Sequence, residues 1–259
     1  FRSQLVFHTL SEAEKADIRL HDLAVIRNPY VMLGIVVTCI FVIIALTRMP
    51  HLATEREPLH DRTSLGRLWR NRVYREGVAA QVFYVAAQIM VWTFIIHYAE
   101  RLGMTKARAQ MFNIGAMALC LTGRFVGTCV MRYVDSRRLL LLFGIGASLC
   151  TLGAICIDGM SGLYCLVAIS FFMSIMFPSI YGIALENVAH DDVALGSAFL
   201  IMAIVGGALM PPLQGMIIDL GEVMGFPAVN VSFILPLVCF LIVALYGYRS
   251  LKHKEVVSE

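Results

Sequence analysis

Residues 77–99 read GVAAQVFYVAAQIMVWTFIIHYA, 23 residues without an Asp, Glu, Lys or Arg. As an α-helix rising 1.5 Å per residue, this run reaches about 34 Å, enough to cross the roughly 30 Å hydrocarbon core of a bilayer. Within it Gln81, Tyr84, Gln88 and Trp92 recur at steps of three and four, so they share one face of the helix, whereas Val82, Ile89, Thr93 and Ile96 fall elsewhere. An apolar helix with one stripe of amides and rings can span a membrane and still turn hydrogen-bonding groups toward a watery cavity.

Six more runs meet the same length requirement, giving spans at Pro29–Arg48, Gly77–Ala99, Gln110–Met131, Leu139–Ile157, Gly162–Glu186, Gly196–Asp219 and Val231–Tyr248. The whole chain of 259 residues is 59% hydrophobic and only 15% charged, with a mean hydropathy of +0.76. A water-facing domain carries about 25% charged residues, so an all-α polytopic membrane protein is expected. Basic residues stand at the edges of the apolar runs and are not interleaved with aromatics, which excludes a nucleic-acid partner. The seven cysteines lie in or at the ends of apolar runs without CxxC or Cys/His spacing, and are read as packing residues.

Lys and Arg near the span ends set the orientation. With residues 1–28 outside, thirteen basic residues fall on the inner side and seven on the outer, and Arg124 alone lies well within a span. This places the C-terminus in the cytoplasm. The opening Phe1-Arg2-Ser3 has no initiator Met and no secretory h-region follows, so the chain is read as truncated at its N-terminus. Ser11-x-x-Glu14 is a capping-box start, and residues 1–28 are read as an outside loop with a short surface helix. The span at 29–48 stands apart, followed by a long basic stretch at 49–76, read as a cytoplasmic linker; six closely spaced spans fill 77–248, and 249–259 is a cytoplasmic tail.

The fifth span repeats the polar stripe with Ser170, Ser174, Phe177 and Tyr181. Amides and hydroxyls hydrogen-bond sugar hydroxyls, and rings pack on the C–H face of a sugar, so the eight stripe residues are candidates for binding a neutral polyol. The same residue types also hold helices together, and periodicity does not separate the two roles. Arg124 is expected either to snorkel or to pair with Glu186 or Asp135 as an inner gate. Gly206, Gly207, Pro211 and Pro212 mark the sixth span as a candidate hinge. An offset of 86 residues pairs Ile89 with Ile175 and Glu100 with Glu186, and Gly123/Asp135 is echoed by Gly207/Asp219, as in two three-helix units inserted with opposite topology. No HExxH, GxSxG, P-loop or intramembrane carboxylate pair occurs, so nothing in the sequence points to an enzyme, a metal or an organic cofactor.

At these residues the chain resembles the fucose permease branch of the major facilitator superfamily. The stretches that carry the likeness are Gln81–Trp92, Gly123-Arg-Phe-Val-Gly-Thr128, Phe172-Met-Ser-Ile-Met-Phe-Pro178 and Gly196–Gly207. The likeness implies a C-terminal six-helix bundle preceded by the last helix of an N-terminal bundle, in the bacterial inner membrane. It implies proton symport of L-fucose or a related hexose by alternating access, with the proton-carrying carboxylates in an N-terminal bundle outside this chain. Glucose/galactose and N-acetylglucosamine carriers of the same branch are the alternatives, and a non-transporting receptor or scaffold of the same fold is a further one. Arg132 stands where the superfamily's basic loop motif often has an acid, so no gating role is carried over for that loop.

Overall fold

The computed structural model describes residues 12–47, 61–223 and 226–258. Two units are distinguished, residues 1–59 and 60–259. In the first, Glu12–Leu46 is one continuous helix, α1. This corrects the expectation of a short surface helix followed by a separate span. Pro29 lies inside the helix; proline removes a single N–H, and nothing else between Arg27 and Tyr30 stops the turn. Ser11, the expected cap, lies outside the described residues. Arg27–Leu46 is long and apolar enough to cross a membrane, with a mean hydropathy of 2.6. Its polar groups are satisfied within the helix: the hydroxyls of Thr38 and Thr47 donate to the carbonyls of Gly34 and Ile43, one turn back, at 2.8 and 2.6 Å.

The second unit holds α2 (Asp61–Arg70), α3 (Arg72–Arg101), α4 (Lys106–Val130), α5 (Ser136–Cys156), α6 (Met160–Met173), α7 (Met176–Leu185), α8 (Val193–Met202), α9 (Gly206–Ile218), α10 (Ala228–Ser232) and α11 (Ile234–Ser258). Together with α1 they supply seven helical stretches long and apolar enough to span a bilayer. The fifth is α6 with α7, the sixth α8 with α9, and the seventh α10 with α11. The linker expected to run to residue 76 is shorter than that, because α3 starts at Arg72, five residues before Gly77. Residues 48–60 of the linker lie outside the described residues. Asn71, Thr105 and Asp135 start α3, α4 and α5, each side chain accepting from a backbone N–H two or three residues on. A two-residue antiparallel pair, Glu222–Val223 with Phe226–Pro227, closes the loop before α10.

The centre of the bundle is α3, which packs against α4, α7, α9 and α11, while α5 packs on α6 and α11 and α4 packs on α6. Just over half (56%) of the most apolar stretch is buried in α3 and in the fifth span, against 28% in α4 and 22% in the sixth span. The first pair is therefore the core, and the second pair flanks it. The flanking helices touch the core through matching positions. A Cβ on Gly123 would meet Phe171 and one on Gly127 would meet Ile175; a Cβ on Gly207 would meet Val85 and Ile89. Val85 and Phe171, like Ile89 and Ile175, are 86 residues apart, the offset of the sequence repeat. Third span on fifth thus repeats sixth span on second in the same register, as two inverted three-helix units require.

In lipid, helix association gains little from the hydrophobic effect, because acyl chains are as apolar as leucine; close approach at small residues matters more. At Gly206 an added Cβ would lie 2.2 Å from the carbonyl oxygen of Val82, whereas nothing lies within 4 Å of a Cβ at Gly115. Gly206→Ala is expected to destabilise the bundle by about 1–3 kcal/mol through forced separation of α9 from α3. Gly115→Ala is expected to be neutral or to stabilise, since alanine is the better helix former. Thermal unfolding of the two variants in detergent checks the difference in sign; equal shifts would contradict the close-approach reading.

Candidate functional site

The fifth span is broken at Ser174-Ile175, between α6 and α7. The cause lies four residues downstream. In an unbroken helix the N–H of residue 178 would bond the carbonyl of Ser174, but residue 178 is proline and has no N–H. Inside a bilayer a bare carbonyl is costly. Arg124 covers it: its Nε donates to the Ser174 carbonyl oxygen at 3.2 Å. The neighbouring carbonyl, Met173, accepts from the Tyr84 hydroxyl at 2.9 Å. Two successive carbonyls at the break are therefore held by side chains from α4 and α3. Gly123 makes the first contact possible, since a Cβ there would sit 2.8 Å from both the Phe171 carbonyl oxygen and Ser174 Oγ.

The two sequence stripes meet at this seam. Trp92 Nε1 donates to Ser170 Oγ at 3.3 Å, and the rings of Tyr84 and Phe177 lie edge to face with centroids 6.3 Å apart. Gln81, Tyr84, Ser170 and Ser174 are fully buried in the bundle, whereas Gln88, Trp92, Phe177 and Tyr181 are half-buried and keep open surface. The stripes thus divide into a closed inner part that joins the helices and an outer part still accessible. Both amide atoms of Gln81 and the hydroxyl of Ser174 are buried without a hydrogen-bond partner. Buried groups of this kind cost about 1–3 kcal/mol each, so they mark polar capacity held in reserve beside the break.

The ion pairs expected for Arg124 do not form. Glu186 accepts from Arg137 at 2.6 Å. Asp135 caps the start of α5 through the Arg137 N–H and accepts from Lys254 on α11. Both acids sit at helix ends, while Arg124 lies six residues, about 9 Å, inside the end of α4. From that depth it reaches the open carbonyl in the next helix, not the surface acids. Of the candidate hinge residues, Gly206 and Gly207 lie against α3 and directly follow a 3₁₀ turn, Ala203–Val205, while Pro211 and Pro212 lie within α9.

Two clusters went unread in the sequence because their members are far apart along the chain. At one end, Arg67 on α2 grips Asp192 with two parallel bonds of 2.9 Å, and Leu68 is buried with Tyr74, Ala184 and Leu200. Tyr74 donates to the Gly196 carbonyl at 2.9 Å, so α2 is fastened to the start of the sixth span. At the other end, Arg101 bonds Asn230 and Asp158, and Asn230 Nδ2 donates to Asp158 at 3.0 Å. Hydrogen bonds first from Arg101 and then from Asn230 hold the Asp158 carboxyl below its ordinary value of 3.8, against the opposing effect of burial. At Asp135 burial pushes upward, but the bonds from Lys254 and the Arg137 N–H outweigh it and the carboxyl is again lowered. The one readable signal missed was Pro178, whose spacing from Ser174 announces a free carbonyl. Among the described residues no cluster of His, Cys, Asp or Glu is placed to hold a metal.

The family model described as Major Facilitator Superfamily matches residues 20–211. An L-fucose-proton symporter of Haemophilus influenzae is 58% identical over 249 residues, covering 96% of this chain and 58% of that protein. A glucose/galactose transporter of Brucella abortus is 29% identical, covering 92% of this chain and 56% of the transporter. The chain thus spans less than two thirds of the length of these curated relatives. Two crystal structures of the Escherichia coli fucose:proton symporter FucP, one in the outward conformation, match with a TM-score of 0.82 at 28% identity, covering 96% of this chain.

The Asp158 cluster yields a pH test. A carboxyl lowered in the folded state stabilises it above the unfolded value of about 3.8, and the gain disappears as pH falls through the lower folded value. Asp158→Asn is expected to lower the thermal midpoint by a constant amount from pH 5 to pH 8, with the gap to wild type closing below about pH 4. A gap that persists undiminished at pH 3 would show that the carboxylate charge is not what Arg101 and Asn230 hold.

Proposed function

This chain belongs to the Major Facilitator Superfamily, and on that premise we propose that it forms one wall of a proton-coupled carrier for L-fucose or a closely related hexose. The observation that carries the proposal is the accessible half of the stripes: Gln88, Trp92, Phe177 and Tyr181, on two helices that touch. Gln88 supplies a donor and an acceptor for sugar hydroxyls, and the rings supply apolar faces for C–H groups. The bond from Trp92 Nε1 to Ser170 fixes the indole, so that ring needs little ordering when a sugar arrives. The sugar is taken from the relative named a fucose symporter at 58% identity, twice the 29% shared with the glucose/galactose transporter.

In this reading the bundle rocks against a second bundle supplied by the rest of the carrier. The break at Ser174-Ile175 and the 3₁₀ turn before Gly206 are bending points, with Pro211 and Pro212 loosening the same span further on. Inner-end pairs, Arg137 with Glu186 and Arg67 with Asp192, hold that end shut when the cavity opens outward. Among the described residues no Asp or Glu lies more than about a turn inside a span, so the coupling proton is assigned to carboxylates elsewhere in the carrier. The basic ends of the helices favour an inner bacterial membrane setting with the C-terminal tail in the cytoplasm.

Gln88→Ala in the full-length carrier is expected to cut labelled L-fucose uptake roughly tenfold per inserted molecule, the cost of about one good hydrogen bond, with a much smaller change in membrane abundance. Unchanged uptake per molecule would remove Gln88 from the site. Counterflow of labelled L-fucose in proteoliposomes separates a carrier from a receptor, because binding without exchange gives no counterflow.

A further inference from the structure

Where α3 begins and α11 ends, a cleft of about 410 Å³ is lined by Arg72, Glu76, Tyr248, Arg249, Lys252 and His253 among others. One oxygen of Glu76 accepts from Arg72 Nε at 2.9 Å and from Arg249 Nη1 at 3.1 Å. A guanidinium has five N–H donors, so each arginine keeps most of its donors, and their side chains remain 68% and 49% exposed. Arg72, Arg249 and Lys252 set three permanent cations against one carboxylate. The cleft is short of negative charge, and its free donors have the planar fork that suits phosphate oxygens.

An apolar track leads into it. Ile234, Val238, Leu241, Leu245 and Tyr248 on α11 are each about half exposed, and they recur at steps of three and four, so they form one stripe down a single face. The next position on that stripe is Lys252. Leu241 is the middle residue of the span Ala228–Lys254. Counted from it, Arg249–His253 lie about 12–18 Å along the helix axis, the depth at which hydrocarbon gives way to headgroups, about 15 Å from the midplane. Free phosphate has no use for the apolar stripe, whereas a phospholipid uses both parts at once.

We propose that this cleft binds the phosphodiester headgroup of an anionic membrane lipid, with an acyl chain laid along the α11 stripe. The site is separate from the stripe residues of the proposed sugar cavity, and it does not depend on what the carrier moves. Bound lipid ties the start of α3 to the end of α11, the first and last spans of the bundle, as Glu76 does through Arg72 and Arg249.

The full-length protein in nanodiscs of phosphatidylcholine with about one fifth phosphatidylglycerol, analysed for co-retained lipid by native mass spectrometry, tests this. Phosphatidylglycerol is expected to be retained in preference to phosphatidylcholine. The double variant Arg249→Gln/Lys252→Gln is expected to bind it about thirty-fold more weakly, each cation near the surface being worth roughly a factor of five. Arg138→Gln, an exposed cation at the same end but outside the cleft, is expected to retain lipid like the wild type. Inorganic phosphate at millimolar levels is expected not to displace the lipid. Equal retention of the two lipids, or equal retention by the double variant and the wild type, overturns the site. Loss in Arg138→Gln equal to that in the double variant overturns it as well, since the effect would then be general surface charge. Displacement by inorganic phosphate would make the ligand a soluble anion and overturn the lipid assignment.

Discussion

A carbonyl group cannot be left bare in hydrocarbon, and Pro178 creates one. Lacking an N–H, it cannot bond Ser174 four residues back, so the fifth span breaks into α6 and α7 and its open carbonyl must find a donor in another helix. The remaining features of the seam follow from that requirement. Arg124 supplies the donor from α4, Tyr84 holds the adjacent carbonyl from α3, and Gly123 lets the α4 backbone come close enough for the first of these bonds. A charged residue well inside a span is thereby put to structural use without a carboxylate partner, which is uncommon for a membrane arginine.

The inverted repeat shows why this seam and its counterpart differ. Third span on fifth and sixth span on second share a register, with Gly123 and Gly207 at equivalent contacts. Small residues thus serve the same purpose in both units, since lipid offers no hydrophobic gain and packing distance decides association. The units diverge in how they treat proline. In the first, a proline in the core helix is compensated by an arginine on the flanking helix. In the second, the paired prolines stand in the flanking helix itself, after a 3₁₀ turn, and the core helix α3 runs unbroken for 30 residues. One unit has its bend in the core and the other at the edge, which is how a bundle with internal symmetry can respond asymmetrically to a ligand.

Much of this was legible in the sequence because lipid imposes a simple demand. Twenty apolar residues in a row cannot be hidden any other way, so all seven spans were found, and period 3.6 was enough to put Gln81, Tyr84, Gln88 and Trp92 on one face. Which part of that face is closed needed the neighbouring helix, and periodicity says nothing about neighbours. The partner of Arg124 was misread for a related reason. Acids at helix ends were considered as partners, but a backbone carbonyl was not, although the spacing from Ser174 to Pro178 pointed to one. Arg67 with Asp192 lies 125 residues apart in the chain, and no local pattern joins them. Residues 12–46 were divided at Pro29 because proline usually ends a soluble helix; a single missing N–H was too little to end this one.

A double-mutant cycle between Arg124 and Pro178 addresses the central claim most directly. Pro178→Ala restores the N–H that Ser174 lacks, so the guanidinium should matter less in that background. Arg124→Leu is expected to destabilise the wild-type protein in mixed micelles, and to destabilise the Pro178→Ala protein by about 1 kcal/mol less, a coupling typical of groups in contact. Additive losses, equal within about 0.3–0.5 kcal/mol, would mean that Arg124 does not stand in for the missing N–H and that the break is held by something else.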